Sequence, residues 1–210
     1  MANVDVETSV LKLPETKKVL QSVGRSVGNN FDLNLVYGTA VYTDFNVISI
    51  NPDYVEQTAE KIGEDKISEN HKYLLLLAQN YHEAAHNRYT DPESMKAIMD
   101  MFDEPLKKKV ARDILNILED ARIELALANQ FPGTKDILKF NNRISAIYRP
   151  KVQESKEGLP RFMEALMQIA IVGSIKGKLD EETEKYLNRD WIQKARYGDE
   201  TKTVFDITLK

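Results

Sequence analysis

Residues 73–86 read YLLLLAQNYHEAAH, and this stretch predicts the central helix of the molecule. The segment Tyr73–Ala78 is apolar nearly all round, which is typical of a helix that is buried on every side. Ser68-Glu69-Asn70 supplies capping side chains just before it. The stretch ends in His82-Glu83-Ala84-Ala85-His86, which contains two of the three histidines in the 210-residue sequence. We therefore expect a long buried helix that carries both of these histidines.

The spacing of these histidines predicts a metal centre. Residues four positions apart lie on one face of a helix, so His82 and His86 can direct both imidazoles at one ion. Glu83 is rotated toward a water molecule bound to that ion, where its carboxylate would act as a general base. His71 lies roughly 16 Å away along the same helix and is interpreted as an ordinary surface or packing histidine. Two further interpretations stay open: an ordinary helix with two histidines, or a metal site without catalysis.

The third ligand of this centre is expected on a later helix, because catalytic zinc usually has three protein ligands and one open position. The sequence contains no cysteine, so the ligand should be a carboxylate. In the predicted helix 105–129, Glu119 lies among apolar residues, and a buried carboxylate needs a partner. Glu119 is therefore the predicted third ligand, with Asp120 as the alternative. A structural ion pair of Glu119 with Arg122 or Arg112 is a further interpretation.

Two segments carry a resemblance to a known family: HEAAHNRYTD at residues 82–91 and LEDARIE at residues 118–124. Together they resemble gluzincin-type zinc metallopeptidase-like domains. Such domains occur with von Willebrand factor A domains in cobalt-chelatase-like and nitric-oxide-reductase-activation-like proteins, and as stand-alone bacterial or phage predicted metallopeptidases. The resemblance covers roughly residues 80–125. It implies a zincin-like fold, Zn²⁺ held by two histidines and a glutamate from a following helix, and a base after the first histidine.

Two motifs associated with such proteins are missing from the sequence. The Asp-x-Ser-x-Ser metal-adhesion motif of the A-domain does not occur, which weakens a chelatase-associated role. The Asn-Glu-x-x-Ser-Asp signature, by which many gluzincins present their third ligand, does not occur either. The assignment of the third ligand therefore depends on the burial argument.

Residues 33–50 contain the main β-strand signal. Apolar and aromatic residues predominate there, and Gly38-Thr39 and Asn46 interrupt them. This pattern predicts two or three short antiparallel strands. Val47–Ile50 is the candidate edge strand against which an extended substrate would bind. Thr203–Leu209 is interpreted as a possible final strand.

The rest of the chain favours helices, so the predicted class is α+β, mainly α, and zincin-like. A small antiparallel sheet is expected beside the central H-E-x-x-H helix, with a helical C-terminal portion. We interpret residues 1–210 as a single domain, with strands and zinc-site helices in about 1–130 and the helical portion in 131–210. Besides the central helix, helices are expected at 15–28, 52–62, 92–101, 105–129, 135–148, 159–175 and 181–196.

Composition argues against several functions. The net charge is −4 and the basic residues are dispersed, so no nucleic-acid partner is expected. The longest apolar stretch, residues 162–175, is shorter than the roughly 20 residues that span a bilayer, so no membrane association is expected. Residues 1–14 lack the apolar core of a secretory signal. The lack of cysteine suits a reducing compartment, and we predict a cytoplasmic protein.

These observations predict a zinc-dependent metallopeptidase that acts on a peptide or protein substrate. Tyr89, Arg122 and Tyr148 are unranked candidates for stabilising the oxyanion. The alternative is a catalytically silent zinc-binding interaction module that partners an ATPase or a separately encoded A-domain protein. A third interpretation is a phage or mobile-element accessory protein that keeps the fold as a scaffold.

Overall fold

A computed structural model describes residues 9–63 and 66–209 and divides the chain into two compact units, Met1–Arg88 and Tyr89–Lys210. The described residues are mostly helical, with one three-stranded sheet, which confirms the α+β, mainly α class. Within those residues, no helix is both long enough and apolar enough to cross a membrane.

The first unit contains the sheet and most of the histidine-bearing helix. Its first two helices start where the sequence places proline at the first helical turn, since proline has no backbone N–H to leave unpaired there. Asn51 also caps the second helix by accepting a hydrogen bond from the Tyr54 backbone N–H at 2.9 Å. The elements are α1 (Pro14–Gly28), β1 (Asn34–Tyr37), β2 (Tyr42–Thr43), β3 (Val47–Ile50), α2 (Pro52–Ile62) and α3 (Glu69–Tyr89).

The sheet is mixed, which corrects the expectation of purely antiparallel strands. Its order is β1-β3-β2, with β3 parallel to β1 and antiparallel to β2. Asp44 accepts hydrogen bonds from the backbone N–H groups of Asn46 and Val47, so the chain reverses tightly after β2 and β3 pairs with it. The other edge of β3 then pairs with β1. Val47–Ile50 is therefore the central strand and not the edge strand that the sequence suggested.

Helix α3 is buried along its apolar stretch, as the sequence predicted. Leu75, Leu76 and Ala78 are at most 3% exposed. Asn80 is fully buried, and its Nδ2 donates a hydrogen bond to the Leu20 carbonyl oxygen of α1 at 2.9 Å. A Cβ atom at Gly24 would lie 2.9 Å from Asn80 Oδ1, so the absence of a side chain there lets α1 approach α3.

The second unit is built around α5, the longest of the helices it contains. Leu115, Ile123 and Leu127 of this helix are fully buried. Five other helices of the unit pack against α5. The unit's elements are α4 (Pro92–Asp100), α5 (Pro105–Gln130), α6 (Lys135–Tyr148), α7 (Leu159–Met167), a π-helical turn (Gln168–Val172), α8 (Glu181–Tyr186), α9 (Arg189–Arg196) and α10 (Thr201–Thr208).

Three expectations for this unit are corrected by the structure. Residues 181–196 form two helices, because the Asn188 side chain caps α9 by accepting from the Trp191 backbone N–H. The helix from Leu159 becomes a π-helix at Gln168, whose amide bonds to Glu164 and the Pro150 carbonyl. Residues 203–209 lie mainly in helix α10, in which Val204 and Ile207, three positions apart, are buried on one face.

Candidate metal centre

The two histidines of the motif lie one helical turn apart on α3, as predicted. Their ring centroids are 5.1 Å apart and the ring planes meet at 78°. Both side chains are partly exposed, although the helix around them is buried. Imidazoles in this position can bind an ion to which solvent also has access, which a hydrolytic metal centre requires.

Glu83 lies directly after the first histidine and is 5% exposed. Ala84 and Ala85 beside it are fully buried, so α3 is enclosed on more than one side at this turn. The sheet helps to fix this turn, because Asn87 Nδ2 donates both to Thr43 Oγ1 of β2 at 2.7 Å and to the Glu83 carbonyl oxygen at 3.2 Å. A buried carboxylate on a fixed turn is suited to accept a proton from a nearby water molecule.

Glu119, the predicted third ligand, is fully buried, and its carboxylate is occupied by three side chains. Arg122 donates from Nε to Oε2 at 2.9 Å and from Nη2 to Oε1 at 2.7 Å. The hydroxyls of Thr90 and Thr201 donate to Oε1 at 2.8 and 2.9 Å. The prediction that Glu119 is buried is confirmed. Within the second unit its charged partner is Arg122, so the two residues form the structural ion pair that their spacing allowed.

Asp120 is the carboxylate that the structure groups with the histidines. Among the described residues, His82, His86 and Asp120 could hold one metal ion, each with one ligand atom. Asp120 was the alternative ligand in the sequence interpretation, and Glu119 is not in this group. Two imidazoles and one carboxylate form a common ligand set of catalytic zinc, which leaves a position for water. The donor set also suits other transition metals, because imidazole binds several of them.

The side chains considered for oxyanion stabilisation have different positions. Arg122 is 2% exposed, and its Nη2 also donates to the Tyr89 carbonyl oxygen at 2.7 Å. The Tyr89 hydroxyl donates to Gln130 Oε1 at 2.5 Å. Tyr148, at the end of α6, is 41% exposed.

His71 lies at the start of α3 beside Ser68, with 3.2 Å between Nδ1 and Oγ, as an ordinary surface histidine would.

Sequence reasoning missed Thr90 and Thr201 as partners of Glu119. Thr201 is 82 residues away along the chain, and no short-range pattern connects the two positions. The pairing of Glu119 with Arg122 did have a signal, because residues three apart on a helix are neighbours. The same spacing argument therefore identifies the ion pair but not the two hydroxyls that complete it.

Comparisons of this chain with protein-family models, with curated proteins and with solved structures found no match.

Proposed function

We propose that this protein is a zinc-dependent metallopeptidase in which His82, His86 and Asp120 bind the metal and Glu83 is the general base. The observation that carries the proposal is the H-E-x-x-H turn of α3, with paired histidines and a buried glutamate between them. The ability of Asp120 to complete a three-ligand set supports the assignment of a metal. The resemblance of residues 82–91 and 118–124 to gluzincin-type domains supports peptide hydrolysis as the reaction.

In peptide hydrolysis the metal would activate a water molecule, and Glu83 would transfer its proton. Zinc, when bound, lowers the pKa of a coordinated water to around 7 and polarises a carbonyl group. Glu83 would accept a proton from the attacking water at its carboxylate and return it to the leaving amine. The low exposure of Glu83 keeps bulk water from competing for this proton. The substrate is a peptide or protein, and the lack of cysteine suits catalysis in the cytoplasm.

A second function is favoured by the partners of Arg122 and Tyr89. Both were candidates for stabilising an oxyanion, and both side chains are engaged with other groups of the protein. A metal site in which no side chain stabilises the oxyanion would be a catalytically silent zinc module that binds an ATPase or an A-domain protein. The two functions share the metal ligands and differ in whether Glu83 transfers a proton.

The substitution Glu83→Gln separates these functions. We expect the variant to bind roughly one equivalent of zinc, because Glu83 is not a ligand. Hydrolysis of a peptide library should fall by about 100-fold or more, because the amide cannot accept the proton. Metal content is measured by elemental analysis, and cleavage by mass spectrometry of the library.

Glu60→Gln is the matched control, since Glu60 is an exposed glutamate on α2. It should leave zinc binding and hydrolysis unchanged. Equal hydrolysis by wild type and Glu83→Gln would refute the role of Glu83. If zinc-loaded wild type cleaves no peptide in the library, the silent module replaces the peptidase. Wild type that takes up no zinc after reconstitution would refute both functions.

A further inference from the structure

A cavity lies wholly within the second unit, and none of the proposed metal ligands lines it. It has a volume of about 290 Å³ and is lined by residues of α5, α6, the π-helical turn and the end of α9. Its walls are largely apolar, with Leu125, Leu138 and Ile171 among them. This volume is near the lower end of small-molecule sites, which span roughly 300–1,000 Å³. The cavity is therefore large enough for a small ligand with an apolar body.

Four cationic side chains line this cavity: Lys135, Lys139, Arg143 and Arg196. The first three are four residues apart on α6, so they follow one face of the helix at intervals of about 6 Å. Within residues 9–63 and 66–209, none of the four has an ion-pair partner. The concentration of uncompensated positive charge around an apolar cavity favours an anionic ligand.

One carboxylate also lines the cavity. It belongs to Glu124, whose Oε2 accepts a hydrogen bond from Asn142 Nδ2 at 2.9 Å. This hydrogen bond joins the carboxylate to a neutral side chain on α6. With four positive charges and one negative charge, the lining keeps a net charge of +3.

Arg196 supplies the most specific indication of a ligand. Its Nε is buried and has no hydrogen-bond partner among the described residues. A buried donor without a partner costs roughly 1–3 kcal/mol, so native proteins seldom leave one. A rotation of the Arg196 side chain toward an anion in the cavity that it lines would give this N–H an acceptor. Arginine is well suited to such a role, because its planar guanidinium can offer two parallel N–H groups to one anion.

We propose that this cavity binds a small organic monophosphate, with the phosphate at the cationic side chains and the apolar body against Leu138 and Ile171. A phosphate monoester carries a charge of about −1.5 to −2 at pH 7 and has three strong acceptor oxygens. It can therefore use several of the four cations at once, which a singly charged carboxylate does less well. The apolar walls distinguish such a ligand from inorganic phosphate, which has no body to bury.

The test uses the zinc-loaded 210-residue chain and phenyl phosphate as the probe, with calorimetry as the measurement. We expect phenyl phosphate to bind more tightly than inorganic phosphate or phenol, and its binding to weaken as sodium chloride is raised. Lys139→Met should weaken binding by about tenfold, because one charge-assisted contact is lost. Arg196→Lys keeps the charge but removes Nε, and should also weaken binding.

Lys109→Met is the matched control, because Lys109 is an exposed lysine on α5 outside the cavity. It should change the affinity by less than about twofold, since exposed charges at a distance are screened. An equal loss in Lys109→Met and Lys139→Met would overturn the proposal, as would no binding of phenyl phosphate. Binding that Lys139→Met and Arg196→Lys leave unchanged would place the phosphate elsewhere, for example on zinc, and would also overturn it.

Vesicles that contain phosphatidic acid test the other source of a phosphate group. Sedimentation of the protein with these vesicles, without any binding of phenyl phosphate, would overturn the proposal of a small ligand. None of these measurements uses peptide hydrolysis, so a failure of this proposal is distinguishable from a failure of the proposed peptidase.

Discussion

Glu119 and Asp120 are adjacent in the chain, yet the helix gives them different environments. A step of one residue rotates the side chain by about 100° around α5. Glu119 consequently faces the interior, where Arg122, Thr90 and Thr201 bind both of its oxygens. Asp120 lies on a more polar arc and is partly exposed. One carboxylate thus stabilises the second unit, and its neighbour is the one that we assign to the metal.

Substitution of each residue by its amide should separate these roles. Glu119→Gln leaves the Arg122 charge buried without its counter-ion, so we expect the free energy of unfolding to fall by about 3 kcal/mol. Asp120→Asn should lower the stability of the metal-free protein by less, about 1 kcal/mol, because this carboxylate is partly exposed. It should weaken zinc binding by about 100-fold or more, because a ligand is lost. Urea denaturation of the metal-free protein and competition with a zinc chelator measure the two effects.

The reverse pattern would overturn the assignment of the third ligand. If Glu119→Gln folds with wild-type stability but loses zinc, while Asp120→Asn keeps it, Glu119 is the ligand after all. Each variant is the control for the other, since both replace a carboxylate by an amide on neighbouring positions of α5.

The candidate site was predictable from the sequence where the chemistry is local. His82, Glu83 and His86 lie within five residues, and helix geometry alone places the histidines on one face. The choice between Glu119 and Asp120 was not local. It depends on Thr201, whose hydroxyl reaches Glu119 only because α10 packs against α5. The burial of a carboxylate can be inferred from a helical wheel, but the partner that satisfies it cannot.

Single side chains at helix ends determine where several elements begin. Asp180 precedes α8, and its Oδ1 accepts a hydrogen bond from the Thr183 backbone N–H at 2.7 Å. Arg161 of α7 donates to its other carboxylate oxygen. The Arg161 guanidinium, followed by the Thr183 N–H, lowers the pKa of Asp180 to about 2. This carboxylate therefore connects α7 to the start of α8 whenever it is ionised.

The stability that Asp180 provides should depend on pH. Its pKa is about 3.8 in the unfolded chain and about 2 in the folded protein, so the contribution is full above about pH 5 and is lost as pH falls toward 2. The melting temperature of Asp180→Asn should therefore be lower than that of wild type at pH 6, and most of the difference should be lost by pH 2. Thermal unfolding monitored by circular dichroism across this range measures it.

The control for this prediction is Asp32→Asn, an exposed aspartate in the loop before β1. Its difference from wild type should be small at every pH. A difference for Asp180→Asn that persists undiminished at pH 2 would show that its ionisation is not the cause.

The elements differ in how well they could be predicted. Helices with a capping residue or proline at their first turn begin where the pattern predicted. An example is α2, which begins at Pro52 after the capping residue Asn51. The pairing of β1 with β3 could not be predicted, because each strand has only four residues and alternation does not specify direction. Residues 203–209 have a short apolar pattern that is compatible with either a strand or a helix, and packing of Val204 and Ile207 decides for a helix.

The chain as a whole should be stabilised by the metal that we propose for His82, His86 and Asp120. A ligand that binds only the folded protein stabilises it by an amount that grows with its free concentration. If the metal proposal is right, this linkage gives a measurement that needs no substrate. It also applies to both proposed functions, since the peptidase and the silent module share the same ligands.

We expect zinc to raise the melting temperature of the chelator-treated protein. At a free concentration of 100 times Kd the stabilisation is about 2.7 kcal/mol. For a chain of this length that corresponds to roughly 5–10 °C. Differential scanning calorimetry at several zinc concentrations measures the shift. His86→Ala should show no shift, and a rise of equal size in that variant would mean that zinc binds elsewhere.

The hydroxyl of Thr201 also sets an order of events during biosynthesis. Glu119 leaves the ribosome 82 residues before Thr201, and Arg122 leaves 79 residues before it. At translation rates of about 5–20 residues per second, this delay is roughly 4–16 s. During that time the second unit has its central helix but lacks the hydroxyl that completes the buried ion pair. We therefore expect the buried ion pair of the nascent unit to stay incomplete until α10 has been synthesised.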